Sequence, residues 1–569
     1  MLLVTVMLSP AAWCVSLSVY IIGLDQKLQD HVSTYLDISR EQSKPDLTLV
    51  RIQRLHARAA RQIKTALQVY GYYQPHIKSE LRQEGQTWIA TYTITPGDPI
   101  RIGSVDLVVS GEGQDNPAIK TALKEFPIVK GQVLEDPKYD QARDALFRTA
   151  IEQGFLDSQF LKREVKVDLR SYSATISLHL QTGKRYYFGA VSFSQDAMDE
   201  KFLRRYLRFK VGDPYSPVKL LQLQIALSDS GLFQSVDVRA NKAQAVEYQV
   251  PIEITLPARK RQQWRFGLGY ATDTGARFST DYSRIVGNKG HKFHSKLLLS
   301  QTTTSISTDY TIPLADPLNE QLGFGARYSD ELIEDRRSVI TGFSVNHSSP
   351  WGEWLRVISL NYAREVYTIS NEPEETGRAL YPAYSITRVR ADNRIYTEHG
   401  SRVYIELRGA NKNLLSDTNY AQLRVGLKWI RRIADDTRII LRSDLGSTNV
   451  ATLSSMPLSQ RFFAGGDNSV RGYAYQELGP KDSFGNVVGG KYLIVGSVEF
   501  DRRVVGNWSG AVFYDIGNAI DSMGDKLDAG AGFGVRWNSP VGPVRFDFAW
   551  GLDKPSDRFR LHVVIGPDL

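Results

Sequence analysis

The chain has 569 residues and a formal net charge of +8. That length exceeds what one hydrophobic core normally supports, so we expect several domains. A single cysteine excludes a disulfide framework and any metal site built from several cysteines.

The first sixteen residues are predicted to be an atypical signal peptide. Residues 1–14 form an apolar stretch, and the small residues Ser16 and Ser18 follow it, as in a secretory signal and its cleavage zone. The stretch is atypical because no Lys or Arg precedes it. Lipid attachment at Cys14 is one alternative, but the bulky Trp13 stands where a small residue is expected. A buried first strand is another, although the stretch lacks apolar–polar alternation.

Three copies of one small unit are predicted after this segment. In each copy a glycine ends a helical stretch, at Gly71, Gly154 and Gly231. Each glycine is placed as a residue that closes a helix in the left-handed conformation, and the segment after it alternates as a strand does. Each unit is therefore predicted to run strand, helix, helix, strand, strand. The predicted spans are 17–98, 99–184 and 185–258.

This order resembles the POTRA domain, a polypeptide-transport-associated module found before outer-membrane assembly barrels. One βααββ unit is a generic α/β module, so the tandem repetition carries the resemblance. The exposed sheet edges of such modules can accept an extended client strand. A rigid periplasmic spacer is the alternative role, and the two roles are compatible.

The remaining chain, 259–569, is predicted to form a transmembrane β-barrel. Segments 264–270, 544–550 and 559–565 place apolar side chains on one face with a period of two. A soluble sandwich also alternates in this way. Aromatic residues at the ends of the apolar faces, with charges and glycines opposite, favour the barrel. Counting such segments predicts about 16 antiparallel strands. The fold class is therefore three α+β repeats followed by an all-β barrel.

A long interval at 450–489 separates two of the predicted strands. It contains paired glycines and several aromatic residues around one strongly basic centre, Arg471. Loops of this length are usually functional or disordered, and this composition allows packing. Strand parity places Phe513, Asp515 and Gly517 on the interior wall. Because a guanidinium favours planar, bidentate contacts with a carboxylate, Asp515 is the predicted acceptor of Arg471.

Two short motifs resemble those of the BamA–TamA superfamily of outer-membrane assembly factors. Residues 470–473 match its loop-six motif (V/I)RG(F/Y), and residues 513–517 match its strand motif Fx(D)xG. The resemblance implies that loop six folds into the barrel, where its arginine meets the inner wall. Three POTRA units and the ending at 565–569 are most similar to the TamA branch, the outer-membrane subunit of the translocation and assembly module. The predicted loop-six lock consists of Val470, Arg471, Gly472 and Tyr473, and the predicted wall acceptor consists of Phe513, Asp515 and Gly517.

The first and last strands are predicted to form a weak lateral seam. Gly267 and Gly269 weaken the first strand. Near the chain end, Pro567 follows Gly566 and cannot donate a hydrogen bond to a neighbouring strand. The resemblance implies that this seam opens laterally and pairs with a client strand. An ordinary closed seam is the alternative.

The resemblance implies a non-enzymatic assembly factor in the outer membrane of a Gram-negative bacterium, with its POTRA domains in the periplasm. Its clients would be outer-membrane proteins such as autotransporters. Its partner would be a TamB-like periplasmic protein, anchored in the inner membrane, that docks on the first POTRA unit. A two-partner-secretion export pore, a phospholipid-transport component and a passive channel are the alternatives.

No cofactor, metal or nucleic-acid site is predicted. Residues 485–491 have the spacing of a phosphate-binding loop, but Tyr492 replaces the required Ser or Thr and a strand pattern follows. His291 and His294 lie three residues apart on a predicted strand, so they face opposite sides and are not expected to share a metal ion.

Overall fold

A computed structural model describes residues 16–44, 47–85, 87–271, 275–333, 336–370, 372–393, 396–539, 542–554, 556 and 558–565. The predicted signal peptide, apart from Ser16, lies outside the described residues. The same holds for Gly566 and Pro567 of the predicted seam. Within the described ranges, no helix is long and apolar enough to cross a membrane.

Three small sheets occupy the N-terminal part of the chain. Each has three strands, in the spatial order first, third, second. In the first sheet the third strand in sequence is central. The first strand is parallel to it, and the second strand is antiparallel to it. The strands are β1 (Ser16–Ile22), β2 (His76–Glu84) and β3 (Thr87–Thr95); β4 (Arg101–Ser110), β5 (Gln159–Asp168) and β6 (Ser173–Gln181); β7 (Tyr187–Ser194), β8 (Asp237–Ala240) and β9 (Gln249–Thr255).

Helices separate the first and second strands of each sheet, as predicted. The second and third repeats have the two predicted α-helices, and the first repeat has one additional short helix, α2. The helices are α1 (Gln26–Tyr35), α2 (Asp37–Glu41) and α3 (Leu49–Gln68); α4 (Pro117–Lys124) and α5 (Asp136–Glu152); α6 (Glu200–Leu203) and α7 (Pro217–Asp229).

The first repeat shows why these sequences fold in this way. On α3 the buried residues Ile52, Leu55, Ala59 and Ile63 recur every three or four positions, which gives the helix one apolar face. On β3 the residues at 90, 92 and 94 alternate toward the same core. Helical and strand periodicity therefore meet in one small hydrophobic core.

The glycines that end the long helices also connect successive repeats. Gly71, Gly154 and Gly231 have φ angles of +85°, +92° and +65°, which confirms the predicted left-handed conformation. The carbonyl of Gly71 accepts a hydrogen bond of 2.8 Å from the backbone N–H of Ile100. The carbonyl of Gly154 accepts an equivalent bond of 2.8 Å from Tyr186. The same backbone contact thus joins the first repeat to the second and the second to the third.

Sixteen antiparallel strands then form one sheet in sequence order, as the alternation predicts. The described residues include no ladder between the first and last of these strands. The strands are β10 (Gln262–Ala271), β11 (Gly275–Val286), β12 (His291–Ser300), β13 (Thr303–Pro313), β14 (Gln321–Ile333), β15 (Arg336–Trp351), β16 (Trp354–Ile369), β17 (Glu375–Ala391), β18 (His399–Ala410), β19 (Tyr420–Ala434), β20 (Thr437–Val450), β21 (Tyr492–Val505), β22 (Trp508–Ile520), β23 (Asp528–Ser539), β24 (Gly542–Gly551) and β25 (Phe559–Ile565).

Side chains on these strands alternate between an apolar exterior and a polar interior. On β22, Val512, Tyr514 and Ile516 are exposed on the outer face, whereas Phe513 and Asp515 are buried inside. This is the pattern expected of a barrel whose outer surface meets lipid.

By its contacts the chain forms two compact units. The first comprises the described residues up to Ser192 together with 209–222 and 238–254. The second comprises 193–208, 223–237 and the described residues from Thr255 onward. The candidate site lies wholly within the second unit.

Candidate functional site

Loop six is the segment 451–491, which joins β20 to β21. Instead of regular helices or strands it contains two short 3₁₀ turns, Leu453–Ser455 and Leu458–Gln460. Isolated bridges pair Phe462 with Gly490 and Ala464 with Leu478. These bridges bring the two arms of the loop together, so the loop is internally ordered despite its length.

One buried arginine ties the two arms of loop six to each other. The guanidinium of Arg461 donates hydrogen bonds of 2.9 Å to the carbonyl of Met456 and 3.0 Å to that of Val488. A further bond of 3.0 Å reaches the carbonyl of Ser454. Because a guanidinium has five donors and no acceptor, it suits this role of binding several carbonyls at once.

The tip of loop six packs on the inner wall through apolar side chains. Val470 is fully buried and Tyr473 is nearly so. The hydroxyl of Tyr473 donates a hydrogen bond of 3.3 Å to the carbonyl of Ala529. The apolar cluster they join consists of Phe462, Ala464, Val470, Tyr473, Leu478, Leu493, Val495 and Ala519.

Arg471 lies against Asp515 in a bidentate arrangement. Its Nε is 2.7 Å from Asp515 Oδ2 and its Nη2 is 2.9 Å from Oδ1. The backbone N–H of Arg471 also donates to Oδ2, at 3.0 Å. The guanidinium carbon lies 3.5 Å from the ring centroid of Phe513, which is close enough for a cation–π contact. Arg471 is 4 % exposed and Asp515 is fully buried, so water is excluded from the pair.

Two further carboxylates, absent from the sequence prediction, contact the same guanidinium. Arg471 Nη1 is 2.7 Å from Glu499 Oε2 on β21 and 3.3 Å from Asp547 Oδ2 on β24. Both acidic residues also bind Arg536 on β23, at 2.8 and 2.6 Å. Strand parity places both carboxylates on the interior face, but parity alone does not show which interior carboxylates reach the loop.

A third guanidinium completes the network. Arg442 on β20 lies 3.9 Å from Asp515 Oδ1 and donates a hydrogen bond of 2.7 Å to the carbonyl of Ser469 in the loop. Three arginines, at 442, 471 and 536, therefore face three carboxylates, at 499, 515 and 547. Their formal charges cancel, which limits the cost of burying them.

Glycines in the wall and in the loop make this approach sterically feasible. A Cβ on Gly530 would lie 1.9 Å from the carbonyl oxygen of Arg471. Gly517 instead packs against the neighbouring wall strand β21, where a Cβ would lie 2.4 Å from the carbonyl oxygen of Ile494. Gly472 has a φ of +93°, and a Cβ there would lie 2.5 Å from the backbone nitrogen of Gly551. A larger residue at any of these positions would displace the loop or the wall.

Loop six also contacts the wall far from Arg471 in the strand order. The backbone N–H and hydroxyl of Ser459 donate to the Glu365 carboxylate on β16, with the shortest distance 2.7 Å. The Gln422 amide on β19 donates to the carbonyl of Gln460 at 2.9 Å. The loop therefore spans the lumen from β16 to β24. Beside it lies a polar cavity of about 610 Å³, lined in part by Arg277, Arg327 and Arg424.

At the predicted seam the structure describes the first strand and most of the last. Gly267 is paired with Ser279 and Gly269 with Arg277, so both glycines lie in the ladder between β10 and β11. The last strand, β25, is short and pairs with β24 over seven residues. Each of these two strands has one hydrogen-bonded neighbour among the described residues.

The histidines considered in the sequence have other partners. His294 lies 3.0 Å from Asp281, and His291 lies 2.8 Å from the hydroxyl of Tyr310. In the part of the chain that the structure describes, no group of three or more His, Cys, Asp or Glu side chains is placed to hold a metal ion.

Known proteins resemble both the sequence and the fold. The outer membrane protein assembly factor BamA of Nitratidesulfovibrio vulgaris is 22 % identical over 501 residues, which cover 82 % of this chain and 61 % of the relative. BamA of Neisseria meningitidis is also 22 % identical, over 542 residues that cover 82 % of this chain and 66 % of the relative. The chain thus spans about two thirds or less of these relatives. A structure of BamA from Haemophilus ducreyi lacking POTRA domains 1-3 matches with a TM-score of 0.68 at 17 % identity, covering 82 % of this chain and all of that one.

Family models match three segments of the chain. Residues 18–96 match the model described as POTRA domain TamA domain 1, and residues 186–255 match a POTRA model described as Surface antigen variable number repeat. Residues 230–568, more than half of the chain, match the Omp85 superfamily domain. The chain therefore belongs to the Omp85 superfamily, as an outer-membrane barrel of the Gram-negative envelope with POTRA domains in the periplasm.

Proposed function

We propose that this protein is a non-enzymatic outer-membrane assembly factor of the TamA type. It inserts or translocates outer-membrane proteins such as autotransporters. The observation that carries the proposal is the burial of the loop-six tip on β21–β24. This site lies next to a terminal strand that has one hydrogen-bonded neighbour among the described residues. The TamA-type match at residues 18–96 and the two BamA relatives, each called an assembly factor, support it.

The proposed mechanism uses the seam between β10 and β25. A strand edge without a partner presents backbone N–H and C=O groups that can template an incoming strand. The outward side chains of β10 are strongly exposed, with Phe266 at 71 % and Leu268 at 89 %. On this proposal Gly267, Gly269, Gly566 and Pro567 border the seam, while Arg471 and Asp515 hold loop six in place beside it.

A disulfide across the seam tests this mechanism. Cysteines introduced on β10 and β25 are expected to crosslink and to block insertion of an autotransporter barrel domain into the outer membrane. Cysteines at Leu268 and Phe278, which are paired within the β10–β11 ladder, serve as the matched control and leave insertion unchanged. Normal insertion with the seam crosslink fully formed would remove the lateral seam from the mechanism.

The same crosslinked protein separates the alternative functions. A two-partner-secretion pore would export its client through the lumen, so a locked seam would leave export intact. Loop six spans that lumen and would first have to move aside, which favours assembly over export. A phospholipid-transport component would change lipid transfer between membranes without inserting a barrel domain.

The domain boundaries belong to the proposal too. Residues 1–16 form the signal peptide, residues 17–98, 99–184 and 185–258 form the three POTRA domains, and the barrel runs from 259 to 569. The family-model matches at 18–96 and 186–255 support the first and third of these POTRA spans.

We further propose that a TamB-like, inner-membrane-anchored protein docks on the first POTRA domain. The edge strand β1 exposes Tyr20 at 54 % and Ile22 at 53 %, which suits the addition of an extended segment. A photoreactive residue at Tyr20 should crosslink to the partner in cells. The same residue at Val108, which is exposed on the equivalent strand β4 of the second repeat, is the control. Equal crosslinking from both positions would refute specific docking on the first domain.

A further inference from the structure

A buried histidine on the last strand contacts the tip of loop six. His562 lies on β25 opposite Asp547 of β24 and is 1 % exposed. Its Nε2 accepts a hydrogen bond of 3.0 Å from the backbone N–H of Gly472. Its Nδ1 lies 2.5 Å from Oδ1 of Asp467, which is also in loop six. Both ring nitrogens of one β25 side chain are therefore engaged by the loop.

These two contacts fix the protonation state of the ring. A backbone N–H can only donate, so Nε2 must be the unprotonated nitrogen. Nδ1 then carries the hydrogen and donates it to the Asp467 carboxylate. A neutral imidazole with the hydrogen on Nδ1 satisfies both partners. A ring with hydrogen on Nε2 would set two donors against each other at Gly472.

The loop residue that contacts His562 directly follows the one that contacts the wall. Arg471 binds carboxylates on β21, β22 and β24. Gly472 binds β25. Because the two residues are adjacent, loop six and β25 cannot move independently without breaking one of these contacts. The ladder with β24 holds β25 over seven residue pairs, and the two bonds of His562 tie the same strand to the loop.

We propose that His562 is a positioning residue that couples loop six to the seam. While it bonds Gly472 and Asp467, β25 stays in the wall. When those bonds break, β25 is no longer tied to loop six and can move with respect to it to accept a client strand. The coupling itself rests on the contacts of His562, whereas its use in client insertion rests on the proposed function.

Hydrogen–deuterium exchange of the full-length protein in lipid nanodiscs tests the coupling. His562→Leu keeps a side chain of similar bulk and removes both bonds. We expect the amides of β25 and of residues 466–472 to exchange together, at least about tenfold faster than in the unaltered protein, while β22 is unchanged. His562→Gln retains an acceptor near the Nε2 position and His562→Asn retains a donor near the Nδ1 position, so each should restore part of the protection. Faster exchange in β25 alone, or no change in either segment, would refute the coupling.

Two further measurements keep the proposal falsifiable if His562→Leu does not fold. Asp467→Ala removes the acceptor and alters only the loop, yet should also speed exchange in β25; an unchanged β25 would contradict the proposal. ¹⁵N NMR, with the His562 signal identified by its loss in His562→Asn, should show a neutral ring with hydrogen on Nδ1. Hydrogen on Nε2, or a charged ring, would overturn it.

Insertion of a urea-unfolded autotransporter barrel domain into proteoliposomes then tests the use of the coupling in client insertion separately from the coupling itself. If β25 and loop six exchange together but His562→Leu inserts the domain at the normal rate, the coupling stands and its role in the proposed seam fails. If insertion changes without coupled exchange, the coupling fails while the assembly function stands.

Discussion

Replacing Arg471 by alanine is the most direct perturbation of the loop-six network. The substitution removes a bidentate contact with Asp515 and the shorter contact with Glu499. Glu499 and Asp547 keep Arg536 as a partner. Asp515 keeps the Ser497 hydroxyl at 2.5 Å and the backbone N–H of residue 471 at 3.0 Å, but its nearest cation is then Arg442 at 3.9 Å. The change therefore leaves a fully buried carboxylate without a close cationic partner.

The expected cost follows from that burial. Removing one partner of a buried ion pair generally destabilises a protein by about 3–5 kcal/mol, because the other charge stays buried and unpaired. The barrel offers a matched control in Arg424 and Asp444, which are joined by two bonds of 3.0 and 2.6 Å. Their side chains are 48 % and 27 % exposed, so Arg424→Ala should cost about 0.2–1 kcal/mol.

Urea unfolding in phospholipid vesicles, followed by tryptophan fluorescence and by gel mobility of the folded barrel, measures both variants. Arg471→Ala should lose at least about 2 kcal/mol more than Arg424→Ala. Equal losses would show that burial of the Arg471 network adds nothing to barrel stability, and would refute the reasoning. A double-mutant cycle with Asp515→Asn should give a coupling energy of about 0.5–3 kcal/mol, whereas full additivity would argue against the pairing.

Two further predictions concern the loop and the POTRA joint. Gly472→Ala should destabilise the barrel by several kcal/mol, because its Cβ would meet the backbone of β24. Gly485 has a similar φ of +89°, but a Cβ there meets nothing within 4 Å, so Gly485→Ala should cost only the backbone strain of about 1–2 kcal/mol. Equal effects of the two variants in the same urea assay would exclude the steric explanation. At the joint between the second and third repeats, bonds from Lys242 and Tyr186 lower the pKa of Asp157 below 3.8. Because the folded pKa is the lower one, the stability from this contact is present above pH 3.8 and is lost as pH falls through the folded pKa. The Asp157 side chain is 45 % exposed, so the contribution is about 1 kcal/mol at most. The melting temperature of Asp157→Asn should therefore fall by a few degrees less than that of the unaltered protein when the pH is lowered through this range. An equal fall in both proteins would contradict this account.

The repeats and the barrel were predictable because their signals are local. Gly71 and Gly154 follow helices whose apolar positions recur every three or four residues, and only glycine readily takes the left-handed conformation there. On β22 the alternation of Tyr514 and Asp515 shows which side faces inward without knowledge of any neighbour. Periodicity depends on a few adjacent residues, so the sequence carries it directly.

The partners within loop six were less predictable. Strand parity predicted Asp515 as the partner of Arg471, but Glu499 and Asp547 contact the same guanidinium from two other strands. Which interior carboxylates converge depends on strand register and on where the loop enters the lumen. Neither quantity is encoded in a short segment.

The residue pattern predicts three βααββ repeats, a barrel of about sixteen strands, and one arginine-centred loop between two of those strands. Only the folded chain shows that the arginine lies among three carboxylates and that the next residue bonds His562 on the last strand. The difference arises from distance along the chain. Alternation and helix ends arise between near neighbours, whereas the contact from Gly472 to His562 joins residues 90 positions apart and exists only once the barrel has formed.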